Sequence, residues 1–114
     1  MNYEKHGIIV SYKVSKYGDI VITFSDGCIM TCGVYGRKKG VKSFWSDQLQ
    51  LIINKKLHSI NNTVGIGYET KFNITINVID NNYEILSITN PIYYDNNDNN
   101  NVYIGTTFHN SKLH

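Results

Sequence analysis

Strict alternation marks two stretches of the chain. Between Asp19 and Ser25, Ile20, Ile22 and Phe24 fall on one side and Val21 and Thr23 on the other, the two-residue period of a half-buried strand. Between Asn73 and Ile79, Ile74, Ile76 and Val78 repeat it. Runs rich in Ile, Val and Tyr predict further strands over His6–Val14, Cys28–Tyr35, Tyr83–Ile88 and Val102–Phe108, with shorter ones at Val41–Trp45 and Val64–Glu69, because β-branched and aromatic residues suit a pleated surface. Lys16-Tyr17-Gly18 is read as a turn. Asp26-Gly27 predicts a tight hairpin, since both residues tolerate positive φ; a two-residue loop there sets Phe24 opposite Ile29 and Ile22 opposite Thr31. Asp80-Asn81-Asn82 predicts a second turn. Asn90-Pro91 is expected to end a strand, and His58–Thr63 reads as a polar turn.

One segment departs from this period. Leu49, Ile52, Ile53 and Leu57 are spaced i, i+3, i+4, i+8, one face of a helix; Leu49, Leu51 and Ile53 also fit a strand, and the helix is the preferred reading. Ser46 stands at the N-cap position with Asp47 in the first turn. The expected fold is therefore mainly β with one short helix at about residues 47–57, two hairpin-based repeats packing as a small barrel-like or sandwich domain.

The repeats are written in the residues. Tyr12–Gly27 reads YKVSKYGDIVITFSDG and Tyr68–Asn81 reads YETKFNITINVIDN. Both run from a Tyr through Asp or Asn to Ile-x-Ile, then to an Asp at a turn and a returning strand. Neither hairpin would be stable alone, so the copies must pack on each other. The chain divides on this reading into a unit at 1–57, with a basic loop and the helix, and a unit at 58–114, with the Asn-rich tract 95–101.

Charge separates the same halves. Residues 1–57 hold nine Lys and Arg against four Asp and Glu, a balance of +5; residues 58–114 hold two against five, a balance of −3. Such asymmetry marks either a polyanion-binding half or two halves that attract each other. The basic residues concentrate at Arg37, Lys38, Lys39 and Lys42, interleaved with Tyr35, Phe44 and Trp45. Cations neutralise phosphates and release counterions, and aromatic rings stack on unpaired bases. Tyr35, Arg37, Lys38, Lys39, Lys42 and Trp45 are therefore the candidate contact residues for nucleic acid or a protein partner. The competing role for Phe44 and Trp45 is to plug the core.

Signals for catalysis are sparse. His6, His58, His109 and His114 stand in no metal-type spacing, and no nucleophile elbow or phosphate loop occurs. Cys28 and Cys32, if on one strand, lie roughly 13 Å apart, beyond the about 7 Å that a disulfide spans; without a nearby His they make a poor zinc site. No enzyme activity, metal or cofactor is expected. The N-terminus, Met1-Asn2-Tyr3-Glu4-Lys5-His6, has no apolar signal region, and no apolar stretch is long enough to span a bilayer, so a cytoplasmic location and no membrane contact are expected. Enrichment in Lys, Asn, Ile and Tyr suggests an AT-rich genome, such as that of a low-GC bacterium or one of its viruses.

Tyr12-Lys13, the run Asp19–Gly27, Tyr35, Lys39-Gly40, Asn73–Ile76, Asn90-Pro91 and Tyr103–Thr107 together resemble a tandem β-repeat of phage and prophage proteins, often found beside HNH endonuclease domains. The second copy departs from that pattern, lacking the turn glycine and the Lys-Gly loop, and no HNH residues are present. The resemblance implies a phage-type accessory module in contact with nucleic acid. Three functions are carried forward. The first is stoichiometric binding to nucleic acid or to a nucleic-acid-associated protein. The second is an anti-defence inhibitor, for example an anti-CRISPR, that blocks a host immune effector or sequesters a nucleotide signal. The third is an interaction module that forms a homodimer through an open sheet edge.

Overall fold

A computed structural model of the chain describes residues 2–15, 18–35, 42–43, 45–64, 69–95 and 103–110. Strands β1 (Ile9–Val14), β2 (Ile20–Phe24), β3 (Cys28–Tyr35), β4 (Lys42–Ser43), β5 (Lys56–Val64), β6 (Glu69–Ile79), β7 (Ile85–Asp95) and β8 (Tyr103–Asn110) form two four-stranded sheets, ordered β1-β2-β3-β8 and β4-β7-β6-β5. Every strand pairing is antiparallel. The result is a sandwich and not a closed barrel. Each sheet draws on both halves of the chain, since β4 joins the second sheet and β8 the first.

The alternating residues make the core. Ile20, Ile22 and Phe24 of β2 meet Cys28, Met30 and Cys32 of β3 on one inner face; Ile74, Ile76 and Val78 of β6 with Ile88 and Ile92 of β7 supply the other, all almost wholly buried. Each such isoleucine contributes roughly 1.5–3 kcal/mol by leaving water. One corner of the sandwich is stitched by backbone bonds: Ile8 bridges Lys56, Ile9 N donates to Lys55 O at 2.8 Å and Asn54 N donates to Ile9 O at 2.9 Å.

Four local expectations are corrected. The helix is a single 3₁₀ segment, Asp47–Ile52, with Ser46 capping Gln48 N as anticipated. Leu49 and Ile52, three apart, are its buried residues, matching the 3₁₀ period. Asn54 then takes φ +69 and reverses the chain, so Leu57 reaches the core from β5, opposite Val78. Second, His58–Thr63 is strand and not turn. Its polar residues suit an edge strand, where an apolar one would invite stray pairing.

Third, β7 runs through Asn90-Pro91. Proline is tolerated where its missing N–H breaks no ladder bond; Pro91 lies opposite Asn73 of β6, and among the described residues β4 pairs with Ile92 and Tyr93 of β7. Fourth, the Asp26-Gly27 hairpin has a three-residue loop, Ser25 to Gly27: Thr23 pairs with Ile29 and Ile22 with Met30. Gly27 N donates to Phe24 O at 3.0 Å and Gly27 takes φ +89, the type I turn plus left-handed residue of a bulged hairpin. This register sets Ile22 beside Met30 and Ile20 beside Cys32, so the apolar residues of both strands share one face.

Candidate functional site

Of the sequence-predicted contact residues, Arg37, Lys38 and Lys39 lie outside the described residues, as do Phe44 and most of the Asn-rich tract. The strands on either side show what the basic loop connects. Tyr35 ends β3 opposite Tyr103 of β8, and Lys42 begins β4 opposite Tyr93 of β7. The loop thus crosses from one sheet to the other. Trp45 is half-buried against the core, with its indole nitrogen buried and without a hydrogen-bond partner among the described residues.

Register adds two positions that the sequence did not single out. Tyr93 has Lys42 across from it on one side and Lys71 on the other. Directly opposed residues share a face. Ile92 and Phe72, one step along, are buried on the inner face, so the row Lys42–Tyr93–Lys71 belongs to the outer face of the second sheet. Glu69 and Asp95 oppose each other in the next row but one.

Farther along this outer face Asn73, Thr75 and Asn77 of β6 pair with polar residues of β5, up to a last row of Lys56, Ile79 and Ile85. Thr75 Oγ1 and Thr89 Oγ1 are 2.9 Å apart, Asn73 Nδ2 donates to Thr63 Oγ1 at 3.4 Å, Asn77 Nδ2 donates to Ser59 Oγ at 3.0 Å and Ser87 Oγ donates to Asn77 Oδ1 at 2.5 Å. These cross-strand bonds tie the amides and hydroxyls of neighbouring strands together. Lys71 and Tyr93 escaped notice in the sequence because each sits in a different strand and nothing local says which strands are neighbours.

A second cluster forms where the N-terminal segment meets the β2–β3 loop. A 3₁₀ turn, Glu4–His6, ends at Gly7 with φ +84. The chain then runs close beside the loop: Ser25 N donates to Ile8 O at 2.9 Å and Asp26 N to His6 O at 3.4 Å. This brings His6 Nδ1 to 2.6 Å from Asp26 Oδ2, while Cys28 Sγ donates to the same oxygen at 3.4 Å. Cys28 N donates to the other oxygen, Asp26 Oδ1, at 2.9 Å. The imidazole packs against the rings of Phe108 and Phe24, with centroids 4.5 and 5.7 Å away.

The backbone N–H of Cys28 does most to hold the Asp26 carboxyl down to about 2; desolvation opposes it, and the hydrogen bonds from His6 and the Cys28 thiol assist. Burial pushes the Cys32 thiol the other way, upward. Neither cysteine forms a disulfide, and both lie on β3, as their spacing required. The missing histidine is the correction: His6 is remote in sequence, yet β1 pairs Ile9 with Phe24, and continuing that register toward the N-terminus carries His6 to the Asp26-Gly27 loop.

Searches with family models, curated proteins and solved structures find no significant match for this chain.

Proposed function

We propose that the protein is a phage-type accessory module that acts by stoichiometric binding of nucleic acid, without catalysis, in the cytoplasm of the cell that makes it. The contact surface is the outer face of the second sheet at its Lys42–Tyr93–Lys71 row, continued by the basic loop at Arg37, Lys38 and Lys39. The observation that carries this reading is the register: an aromatic residue lies between two lysines on one sheet face, at the foot of a loop that adds three more cations. Lysines bind phosphates without regard to sequence, a tyrosine ring stacks on an unpaired base, and the adjoining amides and hydroxyls offer donors and acceptors to base edges and sugars.

Fluorescence anisotropy with labelled single-stranded and duplex DNA at low salt tests it. Single strands are expected to bind more tightly than duplex. Lys71→Ala should lower the slope of log affinity against log salt by about 1. Tyr93→Ala should weaken single-strand binding by about 1–3 kcal/mol and leave the salt slope unchanged. Absence of any anisotropy change with either probe would remove the reading.

A further inference from the structure

The His6–Asp26–Cys28 cluster takes no part in the proposed nucleic-acid surface, yet it gathers three metal-ligating side chains. Among the described residues it is the one grouping of three His, Cys, Asp or Glu whose ligand atoms all lie within 4.8 Å of one another. It offers a nitrogen, an oxygen and a sulfur, a donor set used by zinc and related borderline-soft ions.

We propose that His6, Asp26 and Cys28 form a three-ligand binding site for a thiophilic divalent cation of the zinc(II) type, with the fourth position open to water on the side of Asp26.

The three donor atoms lie within 4.8 Å of one another, and loading brings each pair to the spacing of a tetrahedral shell. A tetrahedral ion with bonds of about 2.0–2.3 Å holds its donors roughly 3.3–3.7 Å apart. Asp26 Oδ2 and Cys28 Sγ are already 3.4 Å apart. His6 Nδ1 and Asp26 Oδ2, at 2.6 Å, must separate by about 0.7 Å. That movement falls on a short 3₁₀ turn and not on a sheet strand. The ion replaces the hydrogen bond that now joins the two groups.

Two of the three ligands are fixed in advance. The bond from Cys28 N to Asp26 Oδ1 orients the carboxylate and leaves Oδ2 toward the other donors. Cys28 begins β3 beside the core and is 1% exposed, which excludes a substrate from the sulfur but not a bare ion. Access is through Asp26, whose side chain is 32% exposed. His6 Nε2 is buried with no hydrogen-bond partner among the described residues, and what binds at Nδ1 sets the tautomer.

The protons balance. Loading releases the Cys28 thiol proton to solvent, and His6 Nδ1 gives up its proton to Nε2 or to solvent as its lone pair turns to the ion, while Asp26 binds as the carboxylate. The oxidation state of the ion is unchanged.

Cys32 is the built-in control, since it lies on the same strand and the same buried face. Tag-free protein is titrated with cobalt(II), whose tetrahedral thiolate complexes show visible d–d bands and a near-ultraviolet sulfur-to-metal charge-transfer band. Wild type and Cys32→Ser are expected to show both at one equivalent, and Cys28→Ser to lose the charge-transfer band. Zinc should raise the melting temperature of the first two and leave that of Cys28→Ser unmoved. X-ray absorption of zinc-loaded wild type, which depends on no variant folding, should find one sulfur at about 2.3 Å and the remaining donors at about 2.0–2.2 Å. A wild type without the charge-transfer band, a band that follows Cys32, or a coordination shell with no sulfur would each overturn the proposal.

Discussion

The turn joining β2 to β3 and the turn joining β6 to β7 are built alike and furnished differently. Each is a three-residue loop closed by a backbone bond of similar length, Gly27 N to Phe24 O at 3.0 Å and Tyr83 N to Asp80 O at 3.1 Å. In each the third loop residue is left-handed. The first turn places Gly27 there, at φ +89, and the second places Tyr83, at φ +61. The aspartates differ too. Asp26 lies inside its loop and reaches the backbone of Cys28 and the ring of His6. Asp80 stands before its loop and accepts from Asn82 N and Glu84 N.

Matching the two loops residue for residue sets Asp26 against Asn82 and Gly27 against Tyr83. The Asp26/Asp80 match suggested by the sequence repeat is therefore not a structural equivalence. The likeness between the hairpins lies in backbone shape, reached with different side chains. The first turn gathers distant residues around its aspartate, whereas the second uses its aspartate to satisfy only its own backbone.

Exchanging what differs tests this contrast. Gly27→Ala should cause the largest change, a loss of about 1–2 kcal/mol, because an L residue is strained in the left-handed region. It should appear as a lower urea midpoint with an unchanged slope. Tyr83→Gly should act in the opposite sense and stabilise by about 0.5–1 kcal/mol, the relief of strain being partly offset by the greater freedom of glycine when unfolded. If Gly27→Ala proves neutral, the two turns do not share a left-handed requirement. If Tyr83→Gly destabilises, the tyrosine holds a contact that outweighs its backbone cost.

The smallest effect is confined to acid. Asp26 has a folded value of about 2, below the usual carboxylate range, so the folded state binds its proton less readily than the unfolded chain does. Its contribution is present above about pH 4 and is lost as pH falls toward about 2. Asp26→Asn should flatten that part of a plot of urea midpoint against pH and leave the rest unchanged.

How much of this was legible in the sequence varied with the signal. Alternation fixed β2 and β6 and the identity of their buried residues, because a half-buried strand leaves a period of two. It failed for β5, whose Ser59, Asn61, Asn62 and Thr63 place polar groups on both faces and leave no period to detect. The helix was overextended for a related reason: Leu57 is buried in either reading, and spacing alone does not say whether a helix or a strand delivers it. Asp-Gly identified a hairpin but fits loops of two or three residues, so the register shifted by one.

The candidate positions depended on long-range order. Lys42 was visible within its basic run, whereas Lys71 and Tyr93 join it only once β7 is known to lie between β4 and β6. His6 was set aside because its partners are twenty residues away. The register of β1 on β2 was the signal that connects them.

The first sheet also sets an order of events during synthesis. Strands β1, β2 and β3 leave the ribosome together, but β3 takes its outer neighbour from β8, residues Tyr103–Asn110. Until that distant segment is made, the nascent sheet carries an unpaired outer edge along β3, the strand of Met30 and Cys32. Translation speed through the intervening segment thus determines how long that strand remains available to pair with another chain.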